Sequence, residues 1–212
     1  MYDMLLLCDP AVAAVPVREC NEPLADVRSA LRADARLADP AGAYARLRVG
    51  VLDRLVTAQT LLPPDLRLLV VEGYRPPALQ ARYFHAHIDR LRVRLPDADA
   101  PTLHRMASRY VAPPEVAPHV AGAAVDVTLC TVDGKELWLG TEVNDTDTTA
   151  CHTDAEGIAP EARARRSVLS SAMGAVGFVN YPSEWWHWSY GDRYWACRTG
   201  ADHARYGAID AQ

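Results

Sequence analysis

The sequence predicts an α+β protein of one domain, residues 1–212, with an antiparallel sheet and flanking helices. Two observations carry that prediction. Apolar residues recur at helical spacing through much of the first half, whereas strand candidates joined by tight-turn dipeptides crowd the second. A third, the absence of internal repeats and low-complexity tracts at this length, favours one large domain over two small ones.

Taken in order, Met1 to Cys8 is apolar, short and without a basic leader region, which reads as a first strand rather than a secretory signal. Leu24, Val27 and Leu31 predict an amphipathic helix over 24–37. Leu47, Val51, Leu55 and Leu62 predict a stronger one from Tyr44 to Leu62, stopped by Pro63-Pro64-Asp65. The apolar run Leu66 to Val71 is a buried strand that ends at Glu72-Gly73-Tyr74-Arg75, and Pro76-Pro77 opens a helix running to about Leu95. Residues 96–118 are rich in Pro, Asp and Ala and predict a covering loop with one short helix near Leu103 to Tyr110. Ala123 to Leu129 is a strand, and Asp133-Gly134 turns it into Glu136 to Leu139. A polar loop from Asn144 to Asp154 precedes a helix from Pro160 to Val176. Trp185 to Tyr190 and Tyr194 to Cys197 flank Gly191-Asp192, a second hairpin signal.

Bulk composition narrows the function. The chain is 50% hydrophobic and 23% charged, with a net charge of −5, which gives no reason to expect nucleic acid or an anionic membrane as partner. No run is long enough to span a bilayer. Five scattered cysteines without CxxC spacing argue against a disulfide framework and for a reducing compartment, so the cytoplasm is the expected location. Oligomeric state leaves no signal.

Chemistry is concentrated in three short stretches. His119 and Asp126 lie in Pro118-His119-Val120-Ala121-Gly122-Ala123-Ala124-Val125-Asp126, and Glu184 and His187 lie in Glu184-Trp185-Trp186-His187. Two imidazoles and one carboxylate are a common way to hold Zn²⁺ with a coordination position left open, where water becomes a nucleophile near neutral pH. Glu184, a carboxylate bracketed by aromatics, has the raised pKa of a general base. Strict strand alternation puts Glu184 and His187 on opposite faces, so the two converge only if Glu184 belongs to the turn made by Pro182 and Ser183. Arg75, at the end of a buried strand and held by Pro76, can aim a fixed cation at an oxyanion; the plainer alternative is an ordinary strand-end salt bridge. His85, His87, His104, His203 and Cys151-His152 lack ligand-like company and read as solvated or structural.

Gly73-Tyr74-Arg75-Pro76, His119-x6-Asp126 and Glu184-Trp185-Trp186-His187, in that order, resemble the D-alanyl-D-alanine dipeptidases of the VanX type, within the wider group of zinc D,D-peptidases. The resemblance covers about the last two-thirds of the chain, including Leu137-x2-Gly140-Thr141 and the helix before Gly177-Phe178. It implies a zinc D,D-peptidase-like fold and a cell-wall dipeptide as substrate, with Zn²⁺ on His119, Asp126 and His187. Glu184 would be the catalytic base and Arg75 the transition-state stabiliser. It also implies a small, closed cleft with an ammonium anchor near Asn144 and Asp145. Two departures bear on substrate choice: Ala117 stands where many members carry Ser, and Asn144 where the family tends to place Asp. Two other readings use the same residues. The triad also suits a non-haem iron oxygenase, which has no need of Glu184, and a metal-holding protein could bind a peptide without cutting it.

Overall fold

The computed structural model describes residues 5–210. Seven strands occur among them: β1 (Leu24–Asp26), β2 (Arg32–Ala33), β3 (Arg46–Arg48), β4 (Leu66–Glu72), β5 (Ala124–Thr131), β6 (Val179–Tyr181) and β7 (Glu184–Ser189). The α-helices are α1 (Pro10–Ala13), α2 (Val49–Leu61), α3 (Pro77–Arg94), α4 (Ala100–Ala107), α5 (Pro160–Ala175) and α6 (Arg193–Thr199). β1 and β3 form a small antiparallel ribbon, and the main sheet has the order β2-β4-β5-β7-β6. All its pairings are antiparallel except that of β2 with β4. The mixed α+β class is as the sequence predicts.

The main sheet is central because its strands are apolar on both faces. Every residue of β5 but the last is buried, as is all of β7, and helices α2 and α5 supply Val51, Leu55, Leu169 and Met173 to the same core. Leu7, Val12, Val120, Tyr181 and Tyr194 form a second, smaller cluster. No described helix is long and apolar enough to cross a membrane. All five cysteines are free thiols.

Four local expectations need correction. The stretch 24–37 is not a helix. Leu24–Asp26 pairs with Arg46–Arg48, and the Asp26 carboxylate caps a single 3-10 turn by accepting from Arg28 N, so the apolar spacing serves a strand and a turn. The helix foreseen from Tyr44 begins only at Val49, because Ala43–Ala45 form a 3-10 turn and Arg46–Arg48 a strand, with the carbonyls of Tyr44 and Arg46 accepting from Gly73 N and Tyr74 N. Asp133-Gly134 does turn the chain, yet Glu136 makes only an isolated bridge to Cys130, and no strand follows. Gly191-Asp192 starts a helix, not a hairpin: the Asp192 carboxylate accepts from Trp195 N at 2.9 Å as the N-cap of α6. The strand expected over Met1–Cys8 falls partly outside the described residues, and Leu5–Cys8 is irregular. The remaining elements lie within a few residues of their predicted bounds.

Candidate metal centre and its cleft

The site is built from neighbouring strands. Register places Glu72 of β4 beside Asp126 of β5, and Asp126 beside His187 of β7, so three polar residues form one row across the sheet. His119 reaches the row from the 3-10 turn Pro118–Ala121 that precedes β5. Gly122, whose φ is +63°, lets that turn pass close to the β1–β3 ribbon; a Cβ there would come within 2.5 Å of Leu24 Cδ2.

Three donor atoms converge. His187 Nδ1 lies 3.1 Å from Asp126 Oδ1 and 3.2 Å from His119 Nε2, and His119 Nε2 lies 3.4 Å from Asp126 Oδ1. Zn–N and Zn–O bonds of about 2.0–2.1 Å at a tetrahedral angle require ligand atoms about 3.3 Å apart, which these are. The outer nitrogens are also committed. His119 Nδ1 donates to the Gly73 carbonyl at 2.7 Å, and His187 Nε2 lies 3.5 Å from Ser189 Oγ. Each outer contact leaves the inner nitrogen as a lone pair aimed at its neighbours, the arrangement typical of metal-binding histidines. All three residues are buried. Among the described residues this is the one cluster of three or more His, Cys, Asp or Glu side chains able to hold a metal. The donor set fits a divalent cation.

Titration follows the same geometry. Burial opposes the Asp126 charge, but His119 and His187 outweigh it and hold the carboxyl well below its ordinary range. Burial likewise opposes a charge on His119, yet Asp126 draws its pKa up, whereas burial wins at His187 and lowers it.

Glu184 and His187 do share a face, by a different device from the one the alternation argument allowed. Glu184 opens β7, and the register with β6 jumps from Asn180↔Trp188 to Tyr181↔Glu184, leaving a bulge of Trp185, Trp186 and His187. Asn180 Nδ2 pins the bulge by donating to the carbonyls of both Glu184 and His187. The Glu184 carboxylate therefore sits 4.0 Å from His187 Nδ1, on the side of the candidate donor cluster. Burial pushes its pKa well up, Asp126 adds to the rise, and Arg75 opposes it.

Arg75 also faces the cleft, and the strand-end salt bridge is real. Its Nε donates to Glu72 Oε1 at 2.8 Å, its Nη2 to Glu72 Oε2, and its Nη1 to Gln80 Oε1 at 2.7 Å. Gln80 in turn donates to the Ala112 carbonyl at 2.7 Å, tying α3 to the covering segment. A guanidinium has five N–H groups, so two remain for a reacting oxygen. Glu72 and Gln80 were not singled out in the sequence; the Glu-x-x-Arg spacing was the available signal for the first, and nothing local marks the second.

The cleft in front of these residues has a volume of about 710 Å³ and is lined by Arg75, His119, Asp126, Glu184 and His187, by Ala117, by one face of α3, and by Asn144 to Asp147. It is wider than the small, closed pocket expected. Asn144 and Asp145 are exposed on its rim, and Asn144 takes φ +69°, a left-handed conformation Asn tolerates. Their loop is anchored on both sides: Trp185 Nε1 donates to Thr141 Oγ1, and buried Arg166 donates to the carbonyls of Leu139, Ala150 and His152. Of the other candidates, His85 is exposed, His104 packs on the Phe84 ring, and the Cys151 thiol is pushed up to about 11 by burial and then Glu184. His87 lines the cleft, contrary to expectation.

Such a constellation on a mixed α+β frame is that of a metallopeptidase. The peptidase M15 family profile, described as D-ala-D-ala dipeptidase, matches residues 50–205, and the chain belongs to that family. It is 28% identical to the D-alanyl-D-alanine dipeptidase of Synechocystis sp., over 93% of this chain and 96% of that one. It is 29% identical to the enzyme of the same name from Escherichia coli K12, over 58% and 54% of the two chains. Among solved structures, the D,D-pentapeptidase VanY with Zn(II) superposes at a TM-score of 0.46 with 12% identity, covering 92% of this chain and 96% of that one.

Proposed function

We propose that residues 1–212 act as one domain that hydrolyses D-Ala-D-Ala or a related D-amino-acid dipeptide, with Zn²⁺ held by His119, Asp126 and His187. The observation that carries the reading is the placement of a desolvated Glu184 carboxylate 4.0 Å from a three-donor cluster, with Arg75 on the same cleft. Zn²⁺ in such a site supplies Lewis acidity, activating water and polarising a carbonyl. Glu184 takes the proton of the attacking water and passes it to the leaving amine. Arg75, fixed by Glu72 and Gln80, offers its two remaining N–H groups to the oxyanion without needing to reorganise. Asn144 and Asp145 receive the substrate ammonium on the rim. Ala117 lines the cleft without the hydroxyl that many relatives carry there, so carboxylate recognition falls to other donors.

Membership of a peptidase family and the presence of Glu184 favour hydrolysis over iron oxygenation. The free cysteines are compatible with a reaction in the cytoplasm. The test is a cleavage screen of zinc-loaded protein on free dipeptides led by D-Ala-D-Ala, with chelator-treated protein as control. Zinc-dependent release of D-alanine is the expected result. Tight peptide binding with no cleavage over hours would instead favour a protein that holds a peptide without cutting it.

A further inference from the structure

Of the three candidate ligands, His119 alone stands outside the sheet. Asp126 and His187 are held on β5 and β7 by strand pairing, whereas His119 rides on the 3-10 turn Pro118–Ala121. So short a turn satisfies few of its own carbonyls. All four of its residues are buried, where a carbonyl without a donor is costly. Donors therefore come from elsewhere. Four consecutive carbonyls accept from outside the turn: His119 from Arg75 N at 3.2 Å, Val120 from Ile209 N at 3.0 Å, Ala121 from Arg48 Nε at 2.8 Å, and Gly122 from Arg48 N at 2.9 Å.

Arg48 supplies two of these four bonds, and its own surroundings fix its aim. The side chain is buried. Its Nη1 donates to the Glu22 carbonyl at 2.6 Å, and its Nη2 to Glu19 Oε2 at 3.0 Å and to the Gly207 carbonyl at 3.2 Å. A buried guanidinium is costly unless it is paired and hydrogen-bonded, and a planar fork with partners on both Nη groups leaves its Nε one direction. The same stretch of chain serves the ring of His119. Its Nδ1 donates to the Gly73 carbonyl, and Gly73 N donates to the Tyr44 carbonyl at 2.6 Å, four residues before Arg48. Ile209 is held in its turn, because its carbonyl accepts from Tyr74 Oη at 2.9 Å. Arg48 and Ile209 both lie outside residues 50–205, the span of the family match. Three of the four bonds to the turn thus come from beyond the matched residues.

We propose that Arg48 is a positioning residue for the metal: by holding Ala121 and Gly122, with Ile209 holding Val120, it sets where His119 Nε2 stands relative to Asp126 and His187. The proposal rests on the reading that these three residues bind Zn²⁺. A ligand set works when its members are held within about 0.5 Å of the productive geometry, and a turn with no strand ladder gets that precision only from its outside donors.

Zinc affinity and stability, measured separately, test it. Each full-length variant is checked for folding by circular dichroism in the presence of chelator, and its melting temperature is taken there. The Zn²⁺ dissociation constant is then read by competition with a chromogenic chelator, well below that temperature. Arg48→Met should weaken Zn²⁺ binding about 10- to 100-fold, and Arg48→Lys, which keeps a donor for part of the set, should weaken it less. Ile209→Pro removes a single N–H and should cost about fivefold. Arg54→Met is the control. Arg54 is also a structural cation, donating to the Val176 carbonyl and to Tyr190 Oη at 2.6 Å each, but it has no hydrogen bond to the turn among the described residues. That variant should melt lower and bind Zn²⁺ as the wild type does. If Arg48→Met behaves in the same way, melting lower with wild-type Zn²⁺ affinity, the proposal is overturned. A loss in Arg54→Met as large as that in Arg48→Met overturns it too. Should Arg48→Met fail to fold, Ile209→Pro decides, and wild-type Zn²⁺ affinity there counts against the proposal. A wild type that binds Zn²⁺ but cleaves no dipeptide would refute the peptidase reading alone, and the affinity differences would still decide the role of Arg48.

Discussion

The two walls of the cleft are built on opposite principles. On the sheet wall, His119, Asp126, Glu184 and His187 are buried and come from β5, β7 and the turn before β5, and each histidine makes a further contact through its outer nitrogen. Elsewhere around the cleft, Asp145 and Asp147 on a loop and Arg90 and Arg94 on a helix surface are exposed. The difference teaches where each task can be done. Holding a cation and moving a proton need desolvated groups fixed to within fractions of an ångström, which a packed sheet supplies. Recognising the ends of a peptide needs reach and reversible contact, which surface side chains supply.

Substitutions on the two walls should therefore separate in kind as well as size. The largest effect is expected from Glu184→Ala, which should lower kcat by about 10²- to 10⁴-fold while zinc stoichiometry, measured by atomic absorption, stays at one per chain. A loss of metal together with activity would place Glu184 among the ligands instead. Behind the sheet wall, Asp192 is fully buried, and burial raises its pKa from 3.8 to about 6 against the opposing hydrogen bonds of Trp195 and Ser189. The folded state then holds this proton more tightly than the unfolded chain, so the contribution of Asp192 to stability is greatest below about pH 4 and is lost as pH rises through about 6. The slope amounts to at most about 3 kcal/mol. Urea unfolding across that range should show the slope in the difference between wild type and Asp192→Asn, whose stabilities should diverge by that amount from about pH 4 to about pH 6. Ser189→Ala releases the outer nitrogen of His187 and should weaken zinc binding about 10- to 100-fold, read with a competing chelator. The smallest effect belongs to the rim: Asp145→Asn should raise KM for D-Ala-D-Ala a few-fold, within about 1 kcal/mol, and leave kcat and zinc affinity in place. A kcat effect there as large as that of Glu184→Ala would erase the distinction between the walls.

Much of the sheet wall was legible because its signals are local. A buried apolar run gives β4 and β5, Pro76-Pro77 gives the start of α3, and the types and spacings of His119, Asp126, Glu184 and His187 announce donor chemistry before any fold is known. Local signals failed where partners are distant. The stretch 24–37 has helical spacing but is claimed by pairing with 46–48, and Gly191-Asp192 fits a hairpin turn and a helix cap equally well. The exposed wall was the least legible. Exposed Asn144 and Asp145 carry no periodic or apolar signal, and His87 on a helix read as solvated until the cleft was seen beside it.

By itself, then, the sequence singled out the candidate donors and their chemistry: which side chains are able to ligate, which carboxylate could carry a proton, and which cation is followed by a proline. Those properties belong to side chains and their nearest neighbours. The tertiary structure alone decided the row Glu72–Asp126–His187, the bulge that turns Glu184 toward the candidate donor cluster, the committed outer nitrogens of both histidines and the width of the cleft. The row, the outer contact of His119 and the cleft depend on contacts between residues tens of positions apart, and the bulge on the register of β6 with β7, neither of which a local pattern encodes.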